Sequence, residues 1–285
     1  MDYLHNRNIA LLGNPRAGKG RSLRVVRYLQ QQLTTAGISH ATYPDQWPED
    51  LSSCTDVWIV GGDGTLNYFI NHYPDVSASL FLFKGGTGND FATTLYGPLN
   101  LQQQYRLALQ AEPRWVDAGN CNGRLFLNAV GIGFDGVVLR QMKWVRFIGG
   151  LLGYYLVVLR TIFGFREAGF SIEAPGFSRK GRFLLVFFSN SGQTGGGFRI
   201  SPVSSVNDGF LDLILVQPLR VLQRLYYLPL IQRGRHLQLP VVEHRPGVQF
   251  TVVCDRVLPA QLDGEYMESD HFTLTLLPGK FRFRY

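Results

Sequence analysis

Across the first third of the chain, short apolar runs alternate with stretches of helical spacing. Ile9-Ala10-Leu11-Leu12 predicts a buried strand, closed by Gly13-Asn14-Pro15. Leu23, Val26, Leu29 and Leu33 recur at helical spacing, so residues 22–36 predict a helix, with Gly37 suited to the position just past its end. Residues 38–43 predict a second strand. Val57-Trp58-Ile59-Val60 predicts a short buried one, followed by Gly61-Gly62-Asp63-Gly64 and a helix over 66–72. Residues 79–83 repeat the pattern, ahead of further glycines and a helix from Asp90. Strand, glycine-rich turn and helix in succession predict a mostly parallel α/β sheet.

Near residue 115 the pattern changes. Residues 115–121 and 124–130 flank Asn122-Gly123, a hairpin signal. A helical stretch over roughly 135–163 follows. Short strands are then predicted at 170–174, 182–189, 210–216, 248–254 and 272–276, interrupted by a helix over 222–233. This half reads as antiparallel β.

Length and composition narrow the class. A chain of 285 residues holds one large domain or two ordinary ones. With 45% hydrophobic and 17% charged residues it is globular rather than disordered. The best candidate for a membrane span has 13 uncharged residues between Arg146 and Arg160, short of the roughly 20 a spanning helix needs. Met1-Asp2-Tyr3-Leu4-His5 lacks the basic and apolar regions of a secretory signal. Cys54, Cys121 and Cys254 form neither a C-x-x-C pattern nor a disulfide framework, so a reducing cytoplasm is the expected compartment. A net charge of +7 favours anionic partners. The histidines form no H-x-x-x-H pair, no G-x-S-x-G elbow is present, and no helix-turn-helix or RNP signature accompanies the basic charge.

Three glycine-bearing turns carry the candidate chemistry, each between a strand and a helix. Gly13-Asn14-Pro15-Arg16-Ala17-Gly18-Lys19-Gly20 matches G-x-x-x-x-G-K, but Gly20 stands where a P-loop has the Ser or Thr that reaches Mg²⁺. Such a turn can still present backbone N–H groups to phosphate, with Arg16 and Lys19 adding charge; a plain strand-to-helix turn is the other reading. Gly61-Gly62-Asp63-Gly64-Thr65-Leu66-Asn67 follows a buried strand, at the carboxyl edge where ligands of open α/β sheets bind. Its glycines let a ligand approach the backbone, Asp63 can hold a cation directly or through water, and Thr65 and Asn67 add polar contacts. Gly85-Gly86-Thr87-Gly88-Asn89-Asp90-Phe91-Ala92 also follows a strand. Thr87 and Asn89 supply neutral hydrogen bonds there, and Asp90 is either a helix cap or a metal-site residue. Taken alone, Asp208-Gly209 reads as a surface turn and Asp263-Gly264 as a hairpin turn.

The ordered set Asn14-Pro15-x-x-Gly18-Lys19, Gly61 to Asn67 and Gly86 to Ala92 resembles the nucleotide-site signatures of the diacylglycerol kinase catalytic domain family, which includes soluble bacterial lipid kinases and the sphingosine and ceramide kinases. Asn207-Asp208-Gly209-Phe210-Leu211-Asp212-Leu213 looks like its D-G-x-x-D segment, and Asp263-Gly264-Glu265 like its D-G-E catalytic motif. The resemblance covers essentially the whole chain. It implies an α/β N-terminal nucleotide-binding domain, expected over 1–117, and a β-rich, antiparallel, sandwich-like C-terminal domain that binds lipid, expected over 118–285 with a tail that may return to the first. The active site is expected in the interdomain cleft. The implied reaction is transfer of the γ-phosphate of ATP to the hydroxyl of diacylglycerol or a similar lipid.

On this resemblance the nucleotide is held by Asn14, Pro15, Arg16, Ala17, Gly18, Gly61, Gly62, Asp63, Gly64, Thr65, Leu66, Asn67, Gly86, Thr87, Gly88, Asn89 and Asp90. Asp63 supports Mg²⁺–ATP, Glu265 helps to hold Mg²⁺ or the nucleotide, and Asp263 is the base that takes the hydroxyl proton. Asp208, with the carbonyls of Ser205 and Phe210, is implied to bind a structural Mg²⁺. Three positions depart from the family pattern. Lys84-Gly85 stands where Pro-x is usual, and Lys84 either reaches a phosphate or is solvated. Thr93 stands where Arg often follows, and Asp45 lies near the place of a nucleotide-contacting Thr.

The implied partners are a nucleotide and a lipid met transiently at the membrane surface; a homodimer is allowed for and no nucleic acid is expected. Lys143, Arg146, Arg160 and Arg166 flank an apolar run over 147–165, read either as a core helix, which is favoured, or as a wedge that touches anionic lipid. Residues 192–197 form a glycine-rich loop, read as a substrate gate or as a connection without that role. The alternatives to a lipid kinase are an NAD kinase-like enzyme, since that family shares G-G-D-G-T, and a non-catalytic lipid or nucleotide sensor on the same fold. Residues 86–92 and the late Asp263-Gly264-Glu265 weigh against the first; the carboxylates of Asp63, Asp208 and Asp263 weigh against the second.

Overall fold

A computed structural model describes residues 7–145 and 150–285. The chain divides into two compact units: one takes the chain up to Val116 and again Gly279–Tyr285, and the other is Asp117–Pro278.

In the first unit β1 (Asn8–Gly13), β2 (Ser39–Tyr43), β3 (Asp56–Gly61) and β4 (Ser79–Lys84) run parallel in the order β2-β1-β3-β4. Every residue of β3 is buried, as a strand covered on both faces requires. The connections include α1 (Arg21–Thr35), α2 (Asp63–His72), α3 (Asp90–Tyr96) and α4 (Leu101–Gln110). Val25, Val26, Leu29 and Leu33 of α1 and Ala108 of α4 pack on Leu11, Trp58, Val60, Phe81 and Phe83. Helix α4 is absent from the sequence expectations because three glutamines follow Leu101 and blur its apolar stripe. Its start is nonetheless written locally: Asn100 and Gln103 cap one another reciprocally.

A buried ion cluster ties the end of the chain to this sheet. β14 (Glu265–Arg284) begins in the second unit, and near its end Phe283 pairs in parallel with Leu80. Arg284 donates from Nε to Asp56 Oδ1 at 2.5 Å and from Nη1 to the Ala111 carbonyl at 2.7 Å. Arg7 faces the other Asp56 oxygen at 4.0 Å and donates to the carbonyls of Ala108 and Leu109.

The second unit is antiparallel. β5 (Pro113–Cys121), whose first residues belong to the first unit, pairs with β6 (Arg124–Phe126) through Asn122 and Gly123, both at positive φ, the signature of the expected two-residue hairpin turn. β7 (Ala129–Ile132), β10 (Leu185–Ser189), β11 (Leu211–Val216), β12 (Val242–Gly247) and β13 (Gln249–Leu262) join β14 in the order β12-β11-β10-β7-β13-β14. β8 (Ala168–Ala174) pairs with β13, and β9 (Phe177–Phe183) with β8. Their core includes Phe126, Phe188, Phe250 and Phe272.

The expected strand over 124–130 is two strands, interrupted at Leu127 and Asn128. β13 and β14 extend well beyond 248–254 and 272–276, because one face of each is solvated and its charged positions mask the run. The helical stretch over 135–163 is two helices, α5 (Phe134–Val145) and α6 (Gly150–Gly164); Arg146 and Phe147 lie outside the described residues. The expected helix over 222–233 is α7 (Val221–Gln232). No described helix is long and apolar enough to cross a membrane.

Removing Asp56 leaves two buried guanidinium groups without their carboxylate. Asp56→Ala is expected to cost about 3–5 kcal/mol, read as a lower urea midpoint of the first unit. An unchanged midpoint would show that the cluster contributes nothing to holding the C-terminal strand.

Candidate functional site

The three glycine turns of the first unit follow β1, β3 and β4 and close on one another. A β-carbon on Gly18 would lie 2.2 Å from the Gly85 carbonyl oxygen, one on Gly62 2.3 Å from that of Gly88, and one on Gly86 2.5 Å from the Gly62 Cα. Only glycine permits these approaches. Asn14 bridges two turns: its Nδ2 donates to Thr65 Oγ1 at 2.9 Å, while its Oδ1 accepts from the Arg16 amide at 3.0 Å. Buried Ser22 links the same elements, accepting from the Asn14 amide and donating to the Val60 carbonyl. Gly18, Lys19 and Gly20 take left-handed conformations in a short 3₁₀ turn, unlike a regular helix start. Arg16 and Lys19 are exposed beside this surface.

Helix α2 starts at Asp63, earlier than the expected Leu66, so Gly61-Gly62-Asp63-Gly64 is the helix entry itself. Its first-turn amides have no carbonyl partner within the helix, the arrangement that suits an anion. Thr65 and Asn67 are buried, the first engaged by Asn14.

Asp63 reaches across to the next turn. Its Oδ2 accepts from the Asp90 amide and its Oδ1 from the Phe91 amide, each at 3.0 Å. It caps α3 from across the turn, and the expectation that Asp90 does so is corrected: the residue before α3 is Asn89, and Asp90 is buried in the first turn. Lys84 is half-buried. Its ammonium donates to the Gly97 carbonyl at the end of α3 and lies over the Tyr96 ring, and burial lowers its pKa. Thr93 donates to the Asn89 carbonyl at 2.8 Å, and Asp45 is exposed.

In the second unit, Asp263 and Gly264 form the tight turn between β13 and β14, both at positive φ. The Asp263 carboxylate is buried and accepts three backbone amides: Leu127 at 2.7 Å, and Asn128 and Ala129 at 2.9 Å each. Those amides come from the interruption between β6 and β7. Asn190 braces it by donating to the Leu127 and Asp117 carbonyls, and Ser191 donates to Asn128 Oδ1. Glu265, two residues on, is exposed, and its carboxylate has no partner among the described residues. The interruption at Leu127 and Asn128 was missed in the sequence; Asn128 within an otherwise apolar run was its signal.

Asp208 lies on an exposed turn and accepts from the Phe210 amide at 3.1 Å. Asp117 Oδ2 holds the same turn through the Gly209 amide at 2.9 Å. Desolvation, then the charges of Asp212 and Asp117, push the Asp208 carboxyl up. A cation beside it would relieve that repulsion, so the donor set fits a hard metal ion. Among the described residues no group of three or more His, Cys, Asp or Glu side chains is placed to hold a metal, so any such site relies on carbonyls and water. Ser205 uses its hydroxyl on Asn207, 3.0 Å away. Residues 192–197 form a turn closed by a Thr194–Phe198 bridge.

Asp135, also missed in the sequence, borders a mainly apolar cavity of about 70 Å³ walled in part by Val158, Ile162, Phe198 and Ile231. Burial pushes its carboxyl from 3.8 up to about 7. Gly131 makes room for it: a β-carbon there would lie 2.3 Å from its Oδ2.

Known proteins match this arrangement over its length. Residues 8–121 match the family model for the diacylglycerol kinase catalytic domain, and residues 128–284 that for the YegS C-terminal NAD kinase beta sandwich-like domain. A diacylglycerol kinase of Staphylococcus carnosus (strain TM300) is 25% identical over 268 residues, covering 90% of this chain and 88% of that protein. The crystal structure of a diacylglycerol kinase from Bacillus anthracis str. Sterne aligns with a TM-score of 0.73 at 20% identity, over 98% of this chain and 97% of that one. An NAD kinase from Archaeoglobus fulgidus, solved in complex with ATP, aligns with a TM-score of 0.57 at 14% identity, over 98% and 93%. At these identities the solved structures speak for the fold alone.

Asp263→Asn turns an amide donor toward backbone donors and is expected to cost about 2–3 kcal/mol, measured as a lower urea midpoint; an unchanged midpoint would deny the clamp. Asp135 gives a pH signature. Its folded value lies above its unfolded one, so its stabilising effect is full below about 4 and is lost as pH rises through about 7. Relative to Asp135→Asn, the wild type should lose up to a few kcal/mol across that window. Parallel urea midpoints of the two proteins would contradict the burial.

Proposed function

The chain belongs to the diacylglycerol kinase family of lipid kinases, and from that premise we propose that it transfers the γ-phosphate of ATP to the hydroxyl of diacylglycerol or a similar neutral lipid. The observation that carries the donor side is the closure of three glycine turns on one another beside the start of α2. The backbone amides of residues 64 and 65 receive phosphate oxygens there, with the turns at 14–18 and 86–88 shaping the cradle. Arg16 and Lys19 neutralise charge on the transferring group. Asp63 and Asn14 keep the cradle in shape.

On the acceptor side Glu265 replaces Asp263 as the proposed base, because Asp263 already accepts three amides and Glu265 accepts none. The lipid O–H bond breaks, its proton passes to the Glu265 carboxylate, the oxygen bonds to the γ-phosphorus, and ADP leaves with the bridging oxygen. Asp263 is a positioning residue that fixes the turn from which Glu265 projects. Asp208, with the carbonyls of Ser205 and Phe210, would hold Mg²⁺ on the second unit. Divalent metal supplies charge neutralisation to the phosphates in this chemistry.

Glu265→Gln tests the assignment, since an exposed side chain can change without loss of fold. Its kcat with diacylglycerol should fall by about 10²–10⁴ while its urea midpoint stays at the wild-type value. Full turnover in this variant would return the base to another group.

A further inference from the structure

The loop after β2 and the exposed side of α2 bring aromatic rings together beside the glycine turns. Trp47 is half-buried, and its indole N–H donates to the Gly13 carbonyl at 2.7 Å, at the start of the first turn. A β-carbon on Gly13 would lie 2.8 Å from the Pro44 carbonyl oxygen, so the loop is seated directly on that turn. The Tyr73 hydroxyl pins the same loop by donating to the Pro48 carbonyl. The Trp47 ring lies 6.0 Å from that of Phe69, edge-on, and 6.3 Å from that of Tyr73, stacked. Both partners are buried, which holds the indole in one orientation. Tyr68 differs from them. It is 58% exposed, meets Trp47 at 5.4 Å and 59°, and stacks at 5.4 Å on His72, one turn further along α2. Neighbouring rings thus fix Tyr68 without covering it.

Side chains on a helix lean toward its N-terminus, so Tyr68 covers the surface over Gly64, four residues earlier and one turn of about 5.4 Å away. Gly64 is exposed and has no side chain to fill that surface. Charge sorts the groups that a ligand could place here. Arg16 and Lys19 are exposed at the first glycine turn, whereas the loop that carries Trp47 bears Asp45, Glu49 and Asp50, all exposed. Phosphate suits the former and a neutral ring the latter. We infer that Tyr68, held by Trp47 and His72, is the stacking platform for the base of the phosphate donor, and that the donor is a purine nucleoside triphosphate. A ribose spans the one-turn gap between the Gly64 amide and the Tyr68 ring. Stacking on an aromatic ring adds affinity that phosphate contacts do not supply, and a purine offers the larger π-face. The inference deepens the donor side of the lipid-kinase reading and rests on it for the place of the phosphates.

Calorimetric titration of the full chain with ATP and with inorganic tripolyphosphate, each with Mg²⁺, separates base from phosphate. The wild type should bind ATP more tightly than tripolyphosphate, and ATP and GTP more tightly than CTP and UTP. Tyr68→Ala should weaken ATP binding about 10-fold and leave tripolyphosphate binding unchanged. It should also narrow the gap between purine and pyrimidine donors, at an unchanged urea midpoint. Tyr68→Phe keeps the ring and should keep the wild-type affinity. An Ala variant that binds ATP like the wild type would overturn the inference. So would one that loses ATP and tripolyphosphate equally, since the ring would then shape the cradle rather than hold a base. Equal wild-type affinity for ATP and tripolyphosphate would overturn the platform and leave the phosphate cradle standing. A wild type that binds neither would overturn the platform together with the donor reading. An Ala variant with normal ATP affinity and weakened binding of a short-chain diacylglycerol would overturn the inference and give the corner to the acceptor.

Discussion

Gly18, Gly62 and Gly86 sit where a β-carbon would collide with the backbone of a neighbouring turn, and the first unit is built around that contact. Parallel strands bring three strand ends to one edge, but only the missing side chains let the turns close far enough to share a surface. Polar side chains then lock the closure. Asn14 reaches Thr65, Ser22 reaches Val60, and Asp63 reaches the amides of Asp90 and Phe91. The first turn of α2 starts beside this closure.

Carboxylates recur in this chain as clamps on backbone. Asp63 caps a helix across a turn, Asp117 holds the Gly209 amide, and Asp263 gathers three amides from a broken strand. Each is buried or half-buried, and two of them order a segment that carries a more exposed group: Glu265 after Asp263, and Asp208 beside Asp117. The division follows from solvation. A carboxylate with several amide donors is well placed as an anion inside the protein, whereas one that must gain and lose a proton during turnover needs lone pairs that are free.

The sequence was informative where one period ruled a segment. The strands over 9–12 and 57–60, helix α1 and the Asn122-Gly123 hairpin could all be read locally. The long strands β13 and β14 could not, because their solvated faces interleave charges with the core positions. Motif spacing identified the glycine turns and the family. It could not show what the distant chain places against each carboxylate: Asp63 and Asp263 accept backbone amides from other segments. Lys84 shows the same limit: its local setting suggested a free cation, and the end of α3 turned it into a helix-terminal donor. Helix α6 buries Val157, Val158 and Ile162 and leaves Leu156, Leu159 and Phe163 exposed, a split that an almost wholly apolar run did not display.

The most direct test of the kinase account is transfer of label from γ-labelled ATP, with Mg²⁺, into a mixed extract of neutral lipids, with NAD offered in parallel. A labelled lipid, produced by the wild type and missing when Glu265 is Gln, is the result the account predicts. Label on NAD, or in no acceptor while ATP still binds, would contradict it.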